Sequence, residues 1–223
     1  MNHRISGLAL AAFLALATAG CGSSSQDPFP AGVKPDTTTP PVSESDLRLR
    51  LLTGADLGQD YTEVPTSPAR TGGGMSGCPA LEKLDGPSGD GALDFSARVK
   101  ASFTYSTAVG GDVSKLGEEL YSDTPAKLAQ STKALFDAYA SCPSFNLNSG
   151  TTPVKIEIKK ETAPKGLGDE QYAQTMTVVT GSSTTVLRQT AVRAGNIMVM
   201  LSGEPSLVAK DLPAAVQKAK AGK

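Results

Sequence analysis

Residues 124–142, TPAKLAQSTKALFDAYASC, carry the clearest helix signal in the sequence. Thr124 can accept a hydrogen bond from a free amide of the first turn, and Pro125 suits the first helical position because no backbone donor is needed there. Pro143 ends the helix, because its ring disfavours helical geometry in the preceding residue. Spacings of three and four residues predict that one wide side of the helix is apolar and packs against a sheet. This side is formed by Leu128, Thr132, Leu135, Phe136, Tyr139 and Cys142.

Alternating apolar and polar residues on both sides of this helix predict strands of an antiparallel sheet, most clearly over residues 93–105. Further strands are expected at residues 113–121, which also fit helical spacing, and at 154–158, 171–180, 184–194 and 197–202. Gly181-Ser182 and Gly195-Asn196 are two-residue links of the kind that form tight hairpins. Residues 197–201 are apolar on both faces, which indicates a central strand. The predicted fold class is α+β, a mostly antiparallel sheet of about six strands packed against a long central helix and shorter helices.

Charge and side-chain chemistry narrow the function classes. The 223 residues carry a formal net charge of -1, which argues against a nucleic-acid binder because such proteins need a basic stripe to neutralise phosphate. The only histidine, His3, lies in a segment that we expect to be removed. The mature chain would then lack the commonest general base and metal ligand. We therefore predict no enzymatic activity, no catalytic residues, no cofactor and no metal.

The N-terminus has the pattern of an export signal. His3 and Arg4 supply positive charge, and the apolar run over residues 7–19 is too short for a comfortable membrane span. The run ends in ATAGC at residues 17–21, which resembles the lipobox of bacterial lipoproteins, with Thr18 where that motif usually has Leu. The resemblance implies a signal peptide over residues 1–20 and a diacylglycerol, with palmitate, on the Cys21 thiol. The alternative is an ordinary secretory signal with a cysteine nearby by chance.

Residues 21–45 are predicted to be a lipidated, disordered tether and residues 46–223 the single folded domain. The tether is rich in Ser, Pro, Thr, Asp and Gly, so it cannot bury enough apolar surface to offset the entropy of ordering. Two acyl chains would hold the protein on a membrane essentially permanently. The expected location is therefore the outer face of the cell membrane, with the membrane as a partner through the lipid.

The remaining cysteines agree with export. Cys78 and Cys142 make an even count once Cys21 is lipidated, and in an oxidising compartment one disulfide is the simplest outcome. Two free, buried thiols are the alternative.

Three charged side chains are candidates for a ligand site. Asp169 and Glu170 are adjacent acids on a loop, where they could receive a cationic ligand or take part in acid–base chemistry; a solvated loop is the alternative. Arg193 is a candidate anchor for an anion in a cleft, although an arginine at a strand end is more often a surface charge.

Five short motifs occur in order: LLTGADL at residues 51–57, Cys78 with Leu81, CPSF at 142–145, GLGDE at 166–170 and VRAGN at 192–196. Together they resemble the PknH-like extracellular sensor domain of actinobacteria, which occurs outside a membrane kinase and as free-standing lipoproteins. The resemblance covers residues 51–204 and implies an antiparallel sheet with helices that form a cleft for a ligand. The chain differs from the kinase-linked domain in lacking a kinase and a spanning helix, and in having one cysteine pair instead of two.

These observations leave three functions open. The favoured one is a non-enzymatic binding or sensor module of the cell envelope, which predicts a cleft between the sheet and a helix for a small molecule. The second is a structural lipoprotein that binds an envelope protein through a flat apolar patch. The third is a hydrolase that uses carboxylates alone, which would need two acids facing each other in a pocket.

Overall fold

The computed structural model describes residues 39–66, 75–85, 94–106, 113–149 and 152–221, and every structural statement below refers to these residues. The predicted signal peptide, Cys21 and most of the predicted tether lie outside them.

Nine strands in the described ranges form one antiparallel sheet. In chain order they are β1 Tyr61–Val64, β2 Met75–Ser76, β3 Ala97–Tyr105, β4 Ser114–Ser122, β5 Ser144–Ser149, β6 Thr152–Glu161, β7 Glu170–Thr180, β8 Ser183–Ala194 and β9 Ile197–Gly203. Their order across the sheet is β1-β3-β4-β9-β8-β7-β6-β5-β2. The fold class is thus α+β as predicted, but the expected number of about six strands was wrong. The three additional strands have six residues or fewer: β1 lies at one edge of the sheet, and β5 and β2 lie at the other.

Five helices are present in the same ranges: α1 Glu44–Arg48, α2 Gly54–Leu57, α3 Pro79–Asp85, α4 Pro125–Ser141 and α5 Pro205–Ala221. α4 forms where the sequence predicts it, with the Thr124 hydroxyl accepting a hydrogen bond from the Lys127 amide at 3.4 Å. The expectation that this helix is the long central element was wrong. α5 has the same length of 17 residues and continues through Pro213, where the sequence suggested an interruption.

The two long helices cover opposite faces of the sheet, so the protein has two hydrophobic cores. The α5-side core lies under α1, α2 and α5, and includes Val99, Phe103, Leu120, Val192, Leu201, Val208 and Leu212. The α4-side core lies under α3 and α4, and includes Leu128, Phe136, Phe145, Ile156, Ala191, Met198 and Met200. β8 and β9 contribute to both cores, which confirms that β9 is a central strand buried on both faces.

A disulfide joins Cys78, next to the start of α3, to Cys142, at the end of α4, with 5.6 Å between their Cα atoms. This confirms the predicted pairing, and both cysteines are buried in the α4-side core. The bridge spans 64 residues, and closing a loop of that length restricts the unfolded chain by about 4 kcal/mol in the chain-entropy model. It therefore fixes α3 against α4.

The folded region begins before residue 46. Residues 39–45, which the sequence analysis assigned to the tether, contact the domain: the Val42 amide donates to Ser122 Oγ at 2.8 Å and Asn196 Nδ2 donates to the Pro40 carbonyl at 2.6 Å. Ser122 Oγ in turn donates to the Asn196 carbonyl at 2.7 Å. The described chain therefore enters the domain at the turn between β8 and β9.

Glu118 is a carboxyl group inside the α5-side core. It is 0% exposed, its Oε2 accepts the Leu52 amide hydrogen at 2.7 Å, and its Oε1 has no hydrogen-bond partner. Burial raises the pKa of Glu118 to about 7, and the attraction of Lys218 offsets this only in part. Folding therefore favours the protonated form of this side chain.

We predict that Glu118 makes the stability of the domain depend on pH. Because the folded-state pKa lies above the usual value of 4.5, its contribution is fully present below pH 4.5 and is lost as the pH rises through about 7. The free energy of unfolding, from urea titrations at pH 5 to 8, should fall by about 3 kcal/mol more in the wild type than in Glu118→Gln. Glu63→Gln, at an exposed glutamate of the same sheet, is the control. Parallel pH profiles for wild type and Glu118→Gln would contradict the prediction.

Candidate functional site

Asp169, Glu170 and Arg193 meet at one end of the hairpin formed by β7 and β8. The register of the hairpin is continuous and places Glu170 directly opposite Arg193, so the two side chains lie on the same face of the sheet. Arg193 Nη1 lies 3.0 Å from Asp169 Oδ2, and Nη2 lies 3.3 Å from Glu170 Oε1. Both acids therefore bind the same guanidinium group.

This ion-pair cluster connects a loop to a turn. Arg193 Nη1 also donates to the Gly195 carbonyl at 3.1 Å, and Asp169 Oδ2 accepts the Gly195 amide hydrogen at 2.8 Å. The Arg193 side chain is only 6% exposed, whereas that of Asp169 is 53% exposed. Two buried atoms, Arg193 Nε and Glu170 Oε2, have no protein partner. The geometry is that of a clamp holding the loop before β7 on the β8–β9 turn, and a ligand role for the three residues stays a prediction.

Gly168 allows this loop to lie directly on β8. A Cβ atom at this position would be 2.3 Å from the Arg193 carbonyl oxygen and 2.7 Å from Val192 Cγ1, both closer than atoms can approach. Leu167 packs against the α5-side core, and the side-chain amide of Gln171 donates to the Gly168 carbonyl at 2.7 Å. Leu167 and Gly168 of the GLGDE motif are thus packed against the domain, whereas the Asp169 side chain remains exposed.

A cleft of about 570 Å³ opens between α4 and the sheet, beside the start of β7. Phe136, Asp137 and Ala140 line it from α4, and the ends of β6 and β7 line it from the sheet, with Lys160 and Tyr172 among their side chains. Its volume is within the range of small-molecule sites, about 300 to 1,000 Å³. The cleft between a helix and the sheet that the favoured hypothesis requires is therefore present.

The cleft combines an aromatic wall with polar groups. The ring of Phe136 stacks on Tyr172, with centroids 5.1 Å apart and 24° between the planes. Burial raises the pKa of Tyr172, so its hydroxyl stays protonated at neutral pH. Gln174 is 2% exposed and donates to Gln189 Oε1 at 2.8 Å. Lys160 is exposed and pairs with no side chain that the structure describes.

The acids of the cleft do not fit hydrolytic chemistry. Asp137 is paired with Lys133 on the same helix, and Glu161 lies 3.1 Å from Lys159. The hydrogen bond from Lys159 lowers the pKa of Glu161, whereas a general acid in glycoside hydrolysis needs a raised pKa. Asp169 and Glu170 share Arg193 and do not face each other across the cleft.

The surface offers little support for a flat apolar docking patch. The exposed large hydrophobic side chains in the described ranges are Leu49, Val113 and Val186, which belong to different parts of the fold. The same ranges hold no group of three or more His, Cys, Asp or Glu side chains that could bind a metal ion.

Lys160, Tyr172 and Gln174 were not among the predicted site residues. The alternation of β7 places Tyr172 and Gln174 on one face, and that signal was available. What it could not give is the position of α4 over β6 and β7, which turns this face into the floor of a cleft.

Comparison with known proteins shows the fold. No family model matches the chain, and no curated protein matches it. The crystal structure of the extracellular domain of PknH from Mycobacterium tuberculosis superposes with a TM-score of 0.57, covering 81% of this chain and 97% of that domain at 13% sequence identity. The X-ray structure of an uncharacterized protein from Mycobacterium smegmatis, the Rv0999 ortholog, gives a TM-score of 0.40 at 12% identity, covering 86% of this chain and 100% of that one. The match to the PknH domain confirms the fold that the motifs imply.

We predict that Gly168→Ala will destabilise the domain. The added methyl group has no space against Arg193 and Val192, so the loop must move and the clamp must weaken, at a cost of about 1 to 3 kcal/mol in the free energy of unfolding. Gly54→Ala is the matched control, because the nearest atom to its Cβ would be 3.8 Å away and alanine favours a helix. Equal unfolding midpoints in urea for Gly168→Ala and the wild type would show that the loop is not tightly packed.

Proposed function

We propose that this chain is a non-enzymatic, lipid-anchored binding or sensor module on the outer face of the cell membrane. Its ligand is a small molecule held in the cleft between α4 and the sheet. The cleft of about 570 Å³ is the observation that carries the proposal, because its size and its few convergent polar groups are those of ligand sites in general.

The lining of the cleft suggests the chemistry of the ligand. A flat, partly apolar face would pack on the Phe136–Tyr172 wall, since aromatic faces contribute most of the contact area in such sites. The Tyr172 hydroxyl would donate a hydrogen bond, and the Lys160 ammonium would attract a carboxylate or phosphate group. The proposed ligand is therefore a small polar molecule with one flat face and an anionic group.

Two observations support the location. The PknH domain of the same fold is extracellular, and the ATAGC motif at residues 17–21 resembles a lipobox. No helix in the described ranges is long and apolar enough to cross a membrane. A lipid on Cys21 accounts for the motif, and export to oxidising surroundings accounts for the disulfide between Cys78 and Cys142.

We expect native mass spectrometry of the purified full chain to detect a small molecule that leaves on mild activation. Ala140→Tyr should abolish this species, because Ala140 is exposed on α4 and lines the cleft, so a larger side chain fills the site without repacking the core. Gln130→Tyr is the matched control, as it is exposed on the same helix and does not line the cleft. Lys160→Gln should weaken retention about tenfold. Equal retention by Ala140→Tyr and the wild type would place the ligand elsewhere.

Lipid attachment is tested separately. Labelled palmitate should enter the wild type in a bacterial host that has the lipoprotein pathway, and Cys21→Ala should lose both the label and the membrane association. Cys142→Ala should keep the label, because only Cys21 lies in the lipobox-like motif. Label that persists in Cys21→Ala, or an intact N-terminus recovered from the cytosol, would contradict the proposal.

A further inference from the structure

β8 extends beyond its neighbour on one side. β8 pairs with β7 from Ser183, opposite Thr180, to Arg193, opposite Glu170. The pairing with β9 begins only at Arg188, which lies opposite Gly203. Residues 183–187 therefore have a described strand on one side only, and we call the other side of this segment the free edge.

The register identifies the hydrogen-bonding groups at the free edge. Ala194 and Ile197 flank a two-residue turn and exchange hydrogen bonds. In an antiparallel pair, every second residue of a strand bonds to the same neighbour, so the β8 residues that bond to β9 are Ala194 and every second residue back to Arg188. Continuing the series, Val186 and Thr184 direct their N–H and C=O groups to the side of β8 on which β9 lies, which here is the free edge. No described residue bonds these groups. The free edge thus presents two donors and two acceptors with the spacing of a strand.

The free edge also lacks the usual protection against pairing. Natural edge strands are short, charged or interrupted by proline. β1, at one margin of the sheet, has four residues, includes Glu63 and is followed by Pro65, and β2, at the other margin, has two residues. By contrast, residues 171–187 contain no charged side chain and no proline.

The space beside the free edge is bounded on its far side. β9 ends at Gly203, where a Cβ atom would be 2.2 Å from the Lys115 carbonyl oxygen, and the Glu204 amide donates to that oxygen at 3.2 Å. A trough of about 420 Å³ at this end of the sheet is lined by Leu187 of β8 and by Lys115 of β4. β4 continues beyond the Leu116–Gly203 pair by two residues, Lys115 and Ser114, so the space is one strand wide beside residues 186 and 187 of the free edge.

The trough carries one unpaired cation. Of the charged side chains that line it, Lys100 and Glu119 pair with each other at 3.3 Å and Glu118 accepts the Leu52 amide hydrogen, whereas Lys115 pairs with no described side chain. A segment that lies along the free edge would be complementary if it carried an acidic residue near Lys115.

We propose that the free edge of β8 binds an extended, acidic segment of a partner protein by β-strand addition. Backbone hydrogen bonds to Thr184 and Val186 provide the affinity, and the trough with Lys115 selects the side chains. An acidic segment fits better than a second copy of this chain, because residues 171–187 of a second β7–β8 hairpin contain no acidic side chain to place near Lys115. The site is separate from the cleft and does not depend on the proposed ligand.

The position of the free edge suits an anchored protein. The described chain enters the domain beside Asn196, at the β8–β9 turn, and the free edge lies at the opposite end of β8. Eleven residues of β8 separate Ser183 from Ala194, about 36 Å at the rise of an extended strand. A partner bound there would meet the domain on the side away from the point of entry.

The test uses the full chain and a fluorescent synthetic peptide, Thr-Val-Thr-Glu-Val-Thr, with both ends blocked. Fluorescence anisotropy should show saturable binding. A strand directs alternate amides to opposite sides. N-methylation of the peptide amides on one side should therefore weaken binding at least tenfold, and N-methylation of those on the other side should not.

In the protein, Val186→Pro removes one donor from the free edge and should weaken binding at least tenfold. Val186→Thr keeps the backbone and should bind as the wild type does.

Charge reversal tests the choice of partner. Lys115→Glu should reduce binding of the glutamate peptide about tenfold and improve binding of the same peptide with lysine in place of glutamate. Ala140→Tyr in the cleft should leave peptide binding unchanged, which separates this proposal from the proposed function.

Three results would overturn the proposal. They are the absence of binding at millimolar peptide, equal effects of the two N-methylated sets, and self-association of the chain that Val186→Pro abolishes, which would make a second copy the occupant. The methylated peptides keep the test valid even where Val186→Pro lowers the stability of the hairpin.

Discussion

β9 must bury both of its faces, and the rest of the architecture depends on this constraint. Ile197, Val199 and Leu201 lie in the α5-side core, while Met198 and Met200 lie in the α4-side core. Nine strands at about 4.8 Å spacing make a sheet roughly 40 Å wide, whereas one helix covers about 10 Å. No single helix can therefore cover a face. Instead, each helical layer covers part of one face, and the two layers overlap where β8 and β9 are buried on both sides, so that loss of either layer exposes the central strand.

Local patterns in the sequence predicted most of the elements but not how they share the sheet. The α4 stripe, the alternation of β3 and the two-residue links before β8 and β9 are all properties of neighbouring residues, and the structure confirms them. The prediction that α4 is the central helix was wrong. An apolar stripe indicates that a helix is buried, but it does not indicate how much of a sheet the helix covers. α5 was undervalued because Pro213 suggested a break, yet it has the same length as α4. β2 has only two residues, too few to show a pattern, whereas β5 does alternate, with Phe145 and Leu147 facing the α4-side core, and this signal was missed.

The Glu170–Arg193 pair of the clamp can be derived from the register of the β7–β8 hairpin. A two-residue turn at Gly181-Ser182 places residue 180 opposite 183, and each step back along β7 matches one step forward along β8, which brings Glu170 opposite Arg193. Both strands and the turn were predicted, but the predicted strand began at residue 171 and Glu170 was assigned to a loop, so the pair follows only when β7 is extended by one residue. The participation of Asp169 does not follow, because it depends on the close approach of the Gly168 loop to β8. The cleft was also beyond sequence reasoning, since it depends on the position of α4 relative to the sheet.

The arrangement constrains how a ligand in the cleft could be sensed. Gln171 and Tyr172 line the cleft at the start of β7, which is locked to β8 by eleven consecutive pairs and by the ion pair of Glu170 with Arg193. The disulfide fixes the other wall, because Cys142 ends α4. One wall is therefore part of the sheet, and the other belongs to a helix whose end is covalently tied to Cys78. A ligand would then act by stabilising the domain as a whole and by changing the surface at the mouth of the cleft, since binding to the folded state alone raises its stability with ligand concentration. Large domain closure, which needs a hinge between two rigid parts, has no counterpart in a single sheet whose central strand is shared by both cores.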